Sequence, residues 1–323
     1  MTAADPGVIW RLINGFGAYW AAVTAVDLGV FESLHDGPMD GDRLAKSLRC
    51  DPRRLLPLCD ALVAMGLMDR IDDQYGLTPE SDAFLLGDRP GSMRDLLIQS
   101  PGPWSNWSAL AETVRGAPPP QIVGEAFYAK LAKATFPTQH ALASRVAPML
   151  GPLGHFLELG AGAAPWTIAF LELFSDDRAV VNDLPAVLET ARETAVARGL
   201  ADRCDLLPGD YHTVPLPDGA FDAVILANVV RAEGHGDALR LLARAAQTVR
   251  PGGRIIVADY FVDEDRRGPL NALILGTTMV AATSAGATFT RTAFEGWLTA
   301  VGLVDVELVH PSVLIARKEA RHG

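Results

Sequence analysis

His155-Phe-Leu-Glu-Leu-Gly-Ala-Gly-Ala-Ala-Pro-Trp-Thr-Ile-Ala169 is the stretch that decides the fold. A short apolar run ends in two glycines spaced by one residue, and a helical pattern starts at once. A first strand therefore delivers its backbone into a tight turn that a ligand can approach closely. Gly160 and Gly162 supply the conformational freedom of that turn. A Gly-x-Gly is weak by itself, because strand-to-helix turns also use it structurally. The third glycine of a dinucleotide fingerprint is replaced by Ala164 or Pro165, which argues against a nicotinamide dinucleotide.

Downstream, short β-branched or apolar runs at 179–182, 204–207, 223–227 and 254–260 alternate with helical patterns at 165–174, 185–199 and 236–249. That alternation predicts an α/β domain, a Rossmann-like parallel sheet with helices on both faces. Acidic groups recur at the strand ends. Glu158 precedes the glycine turn. Asp183, in Asn182-Asp-Leu-Pro, sits where doubly wound folds bind ribose hydroxyls. Asp210, in Gly209-Asp-Tyr, follows the third strand, with Tyr211 offering an aromatic face. Asp210 reads equally well as the cap of a turn.

Upstream, residues 8–34 carry apolar side chains at near-helical spacing, too many for a surface helix, so the segment needs a covering, and a partner subunit is one natural choice. Two short helical patterns opened by Asp40 and Asp51 follow, then two strand-like pieces at 68–71 and 75–78. Together they predict a helix-turn-helix with a wing, whose commonest use is DNA binding. Residues 40–70 hold six Lys or Arg against five Asp, however, and the whole 323-residue chain has a formal net charge of −11. Both balances disfavour a nucleic-acid partner. The reading divides the chain into a winged-helix domain (1–100), a helical linker contributing to a pocket (101–150) and a sheet domain (151–323).

Hydrophobic residues make up 49% and charged residues 21%, the composition of a globular protein. No apolar run reaches the ~18 residues that cross a bilayer, and the first residues lack the features of a secretory signal. The expectation is a cytoplasmic protein with no membrane partner. Cys50, Cys59 and Cys204 have no paired spacing, so neither a disulfide framework nor a metal site is expected.

The order Leu157-Glu-Leu-Gly-Ala-Gly, Asn182-Asp-Leu-Pro, Leu207-Pro-Gly-Asp-Tyr, Phe221-Asp-Ala-Val-Ile-Leu-Ala-Asn, Arg250-Pro-Gly-Gly-Arg and the tail Phe289-Thr…Trp297-Leu…Gly302-Leu resembles the S-adenosylmethionine-dependent O-methyltransferases of secondary metabolism, over nearly the whole chain. The resemblance implies a class I methyltransferase domain preceded by a mostly helical winged-helix domain that makes a homodimer, burying the 8–34 segment. It implies S-adenosylmethionine as cofactor and S-adenosylhomocysteine as product, held by Glu158, Gly160, Gly162, Asp183, Leu184, Gly209, Asp210, Tyr211 and Asn228. By the same analogy Trp104, Trp107, Asn271, Leu275, Met279 and Phe294 line an apolar pocket for a planar aromatic or polyketide-like substrate. Trp166 either covers the cofactor or staples the first helix.

One position departs from the family. A histidine that deprotonates the substrate hydroxyl is expected after the fourth strand, and here Ala227-Asn-Val-Val-Arg-Ala-Glu-Gly-His235 puts Arg231 in its place. Arginine stays protonated and cannot act as a base. Three readings follow. Arg231 pairs with an acceptor that is already ionised; or Glu233 or His235 serves as the base; or the fold has given up net methylation for hydroxylation or pericyclic chemistry. A cofactor-sensing, DNA-binding regulator is the alternative from a different class.

Overall fold

Gly29 interrupts what the sequence reads as one apolar segment. At φ +74° it adopts the left-handed conformation, and the chain breaks into α1 (Gly7–Leu28) and the single turn α2 (Val30–Ser33). The computed structural model describes residues 4–121 and 123–320, which fold as two compact units, residues 1–100 and 101–323.

In the first unit only Ala22, Ala25 and Val26 of α1 are buried, whereas Val8, Ile9, Trp10, Leu12 and Ile13 are each more than half exposed. Packing within the unit thus covers only the C-terminal part of this helix. After β1 (Met39–Asp40) come α3 (Gly41–Ser47) and α4 (Pro52–Ala64). Each is opened by an aspartate: Asp40 Oδ1 accepts from Arg43 N at 2.9 Å and Asp51 Oδ1 from Arg53 N at 3.0 Å. Such caps satisfy amides that a helix start leaves orphaned. The wing is an antiparallel hairpin of β2 (Met68–Ile71) and β3 (Gln74–Leu77) turning through Asp72 and Asp73, both at positive φ. Paired positive φ values match the twist of a two-residue hairpin turn. α5 (Pro79–Phe84) and α6 (Arg94–Gln99) complete the unit around Phe31, Leu34, Leu44, Leu55, Leu62 and Met68.

The second unit begins with two short helices, α7 (Trp104–Ser108) and α8 (Leu110–Val114), inside the segment read as a helical linker. The buried Asn106 holds this region by exchanging two hydrogen bonds of 2.9 Å with the backbone of Gln121. α9 (Glu125–Leu150) follows and packs on two later helices, α10 (Pro165–Leu173) and α11 (Pro185–Ala197). The strands are β4 (His155–Leu159), β5 (Arg178–Asp183), β6 (Cys204–Pro208), β7 (Phe221–Ala227) and β8 (Val249–Ala258), with α12 (His235–Thr248) between the last two. Beyond β8 lie α13 (Leu270–Ala282), α14 (Arg291–Ala300), β9 (Leu303–His310) and β10 (Val313–Lys318).

The sheet runs β6-β5-β4-β7-β8-β10-β9, parallel from β6 to β8 and antiparallel at β10 and β9. Strand alternation assigns its side chains to two layers. Phe156, Ile225, Ile256 and Ile315 join the layer with α9 and α10, while Leu157, Val224, Val257 and Leu314 join the layer with α12 and α14. Chain order reverses between β4 and β7, and in open α/β sheets the crevice at such a reversal is where ligands bind. No helix among the described residues is long and apolar enough to cross a membrane.

Candidate functional site

At the switch point, Gly160 and Gly162 both take positive φ, +63° and +61°. A Cβ at Gly160 would stand 2.8 Å from Val229 Cγ2 and 3.7 Å from Tyr211 Cδ1, and one at Gly162 would meet Ala132 of α9 at 3.4 Å. Conformation and space both require glycine at the first of these positions. Asp183 closes the turn from the next strand: Oδ2 accepts from Gly162 N at 2.8 Å and Oδ1 from its neighbour Leu184 N at 2.7 Å. Burial raises the proton affinity of this carboxyl, and the two backbone bonds work against that rise. Asn182 ties β5 to β6 by donating Nδ2 to the carbonyls of Leu207 and Gly209, and Gly209 N donates to Asp183 O.

Glu158 does not belong to this opening. It is 1% exposed, and its Oε2 accepts from Thr167 N at 2.9 Å and Thr167 Oγ1 at 2.6 Å. It seats the start of α10, whose own N-cap, Ala164, has no acceptor. Asp210 is exposed, and its Oδ1 accepts from His212 N at 2.8 Å, the turn-capping alternative. Trp166 is fully buried in the α10 layer, so it staples the helix. Phe294 is 1% exposed and packs edge-on against Phe261, Phe289 and Trp297, which makes it core and not pocket lining. The helix α13, carrying exposed Asn271 and half-buried Leu275 and Met279, packs on α7 and α8, so Trp104 and Trp107 share its neighbourhood.

The turn after β7 holds two polar clusters. Asn228 stands at φ +60°, a strained conformation for a side-chain-bearing residue. Its Nδ2 donates to Gln139 Oε1 of α9 at 2.8 Å, and its Oδ1 accepts from Arg231 Nη1 at 2.5 Å. The same Nη1 donates to Asp259 Oδ1 at 3.0 Å, an ion pair with side-chain exposures of 17% and 1%. Asp259 Oδ1 also accepts from Tyr260 N, whose ring lies under the Arg231 guanidinium, while Asp259 Oδ2 is buried without a partner. Two residues on, Glu233 belongs to the second cluster: Oε1 accepts from Tyr211 Oη at 2.5 Å, and Oε2 lies 3.1 Å from His212 Nε2. Residues 230–232 form one 3-10 turn, in which positions two apart point in different directions. His235, the first residue of α12, packs edge-on against Trp297 and lies in neither cluster. Among the described residues no group of three His, Cys, Asp or Glu is arranged to hold a metal.

Gln139, His212 and Asp259 are absent from the sequence-derived set. Asp259, at the carboxyl end of β8, obeys the rule that singles out Asp183. Gln139 carries no sequence signal, because only the crossing of α9 brings it here.

The glycine cradle, the Asp183 carboxylate and the Tyr211 face suit a nucleoside with an attached amino-acid chain. Comparison with known proteins agrees. Residues 126–304 match the O-methyltransferase domain family, and residues 10–87 match the O-methyltransferase dimerisation domain. The 3-hydroxy-5-methyl-1-naphthoate 3-O-methyltransferase of Streptomyces sahachiroi is 26% identical over 94% of this chain and 91% of its own. Mitomycin biosynthesis 6-O-methyltransferase of Streptomyces lavendulae is 28% identical over 81% and 79%. Human N-acetylserotonin methyltransferase, solved in complex with SAM, shares the fold with a TM-score of 0.86 at 24% identity, over 99% of this chain and 100% of that one. With more than half of its length matched to the catalytic domain, the chain belongs to the O-methyltransferase family, with that family's dimerisation domain ahead of it.

Proposed function

We propose that this enzyme methylates an oxygen that reaches the site already ionised, on a small planar aromatic or polyketide-like natural-product intermediate, with Arg231 orienting the anion. The observation that carries the reading is the Arg231 cluster itself. By the family resemblance Arg231 stands where a base is expected, and Asp259 and Asn228 hold its guanidinium by one nitrogen. Nη2 and Nε donate to none of the described residues, and they form a fork suited to an anionic oxygen. Pairing with Asp259 makes the arginine tolerable in a half-buried place. The named substrates of the naphthoate and mitomycin relatives support the acceptor class.

When bound, S-adenosylmethionine supplies an electrophilic methyl group and departs as S-adenosylhomocysteine. The chain's residues bind and orient. The backbone at Gly160 and Gly162 allows close approach, Asp183 accepts from ribose hydroxyls, and Leu184, Gly209, Tyr211 and Asn228 frame the remainder. Trp104, Trp107, Asn271, Leu275 and Met279 border the acceptor. An ionised acceptor needs no proton removed, so the rate rests on proximity and alignment. Glu233 has both oxygens engaged, and His235 lies on the Trp297 side, so neither is assigned as a base.

The test is kcat/KM against pH for Arg231→Lys, Arg231→Ala and Arg231→His on one accepted substrate. Lysine should retain part of the activity, since it keeps the charge without the fork, and alanine should lose about a hundredfold or more. Histidine should add a pH dependence near its ordinary pKa of ~6.5. Wild-type rates in all three would defeat the assignment.

We also propose a homodimer through the exposed apolar face of α1, supported by the dimerisation-domain match. Ile9→Asp with Ile13→Asp should shift the protein from dimer to monomer or aggregate in light scattering. An unchanged dimer would exclude this face.

A further inference from the structure

Asn228 stands between a helix and Arg231, and its amide has two unlike ends. A guanidinium donates through every nitrogen and accepts through none. The atom that Asn228 turns to Arg231 Nη1, 2.5 Å away, is therefore its oxygen. Its Nδ2 faces the other way, and there Gln139 Oε1 of α9 accepts it at 2.8 Å. A polarity thus runs from α9 to the guanidinium, in which one amide fixes the next and the second fixes the arginine. With Asp259 Oδ1 on the same Nη1 at 3.0 Å, the head group is held by two partners, and the direction of its Nη2 and Nε is set.

Both ends of this relay are anchored. Asn228 N donates to Ala258 O at 2.7 Å, which ties its turn to the end of β8, and asparagine is among the few residues that tolerate its left-handed backbone at φ +60°. On α9, Pro137 leaves the helix one hydrogen bond short two residues before Gln139. Neighbouring side chains hold the helix there instead. The rings of Phe136 and His140 stack with centroids 5.2 Å apart, and His140 Nε2 lies 2.8 Å from Glu172 Oε2 of α10, whose other oxygen accepts from Arg198 of α11 at 2.5 Å. Successive helix residues point about 100° apart, so residue 140 pins α9 to α10 while residue 139 turns to the site. Among the described residues, Asn228 is the sole hydrogen-bond partner of the Gln139 side chain.

We infer that Gln139 is a positioning residue for methyl transfer: through Asn228 it fixes the direction in which Arg231 presents its free nitrogens to the acceptor. The inference rests on the reading of Arg231 as the group that orients an ionised acceptor.

The test is a double-variant cycle in kcat/KM on one accepted substrate at saturating S-adenosylmethionine, with S-adenosylhomocysteine affinity measured alongside by calorimetry. Gln139→Met keeps the length of the side chain and removes the acceptor, which frees the Asn228 amide to rotate. In the otherwise wild-type chain it should lower kcat/KM by about 10-fold, as one hydrogen bond lost from a network predicts. In the Arg231→Ala background the same change should cost less than about twofold, because the group it acts through is gone. Gln139→Glu still accepts from Asn228 and should come within about threefold of wild type. Affinity for S-adenosylhomocysteine should change by less than about threefold in Gln139→Met. Thermal melts establish that each variant is folded, and Gln139→Ala replaces the methionine variant should that one fail to fold. A wild-type rate in Gln139→Met, equal losses in the two backgrounds, or a glutamate variant no better than the methionine one overturns the inference and leaves the Arg231 reading intact. A fall in S-adenosylhomocysteine affinity as large as the fall in kcat/KM does the same, since Gln139 would then serve the cofactor. A wild-type rate in Arg231→Ala overturns the Arg231 reading, and the inference with it.

Discussion

Glu158 and Asp259 are both buried carboxylates in the strand region of one sheet, and the protein accommodates them in opposite ways. Asp259 faces a cation, Arg231, and takes a backbone amide as well. Glu158 faces only neutral donors, the amide and hydroxyl of Thr167. Burial pushes the Glu158 carboxyl up to about 7, and the Thr167 bonds recover only part of the cost. An acid at a strand end can therefore serve a helix or a site. Glu158 does the first, because it points back under α10, and Asp259 the second, because it points at the turn after β7.

The contrast breaks most sharply at Asp259. Asp259→Ala strands a guanidinium that is only 17% exposed, and losing one partner of such a pair costs ~3–5 kcal/mol. Denaturant unfolding should show that loss, and the double variant Arg231→Leu, Asp259→Ala should recover much of it. A loss below ~1 kcal/mol in the single variant would mean that Arg231 relaxes into water. A smaller effect is expected at Glu158. Its folded value of about 7 exceeds the ordinary 4.5, so the folded state prefers the protonated form. The stability it contributes is full below pH ~4.5 and is lost as the pH rises through ~7, a change of at most ~3 kcal/mol. Glu158→Gln keeps an acceptor for Thr167 and should remove that decline, leaving the variant more stable than wild type by ~1–3 kcal/mol at pH 8. Parallel stability curves for the two proteins between pH 4.5 and 8 would refute it.

That pair also marks what the sequence reveals. The glycine turn, the five parallel strands and the winged helix are legible because periodicity and punctuation act locally: Asp40 and Asp51 cap the helices they precede, and Gly160 permits the turn it occupies. Direction is not local. Glu158, Asp183 and Asp210 look alike as acids after strands, yet one turns inward, one closes the ligand turn and one caps its own loop. Arg231 is visible as an anomaly, but its ionic partner Asp259 lies just beyond β8, and Gln139, which anchors its neighbour Asn228, lies on α9, both remote in sequence. Phe294 reads as lining by analogy with the family, and only its ring contacts with Phe261, Phe289 and Trp297 place it in the core. β9 and β10 escape notice because their antiparallel pairing has no counterpart in the alternation that announces the rest.

The position of β10 has a consequence for how the polypeptide is made. Inserted between β8 and β9, it joins the sheet only after residue 318 has left the ribosome, while β8 has been waiting since residue 258. Throughout that interval an apolar strand edge stands open to any passing extended segment. Completion of the sheet thus waits on a strand that pairs across some sixty residues, a long-range step intrinsically slower than the local pairings that precede it.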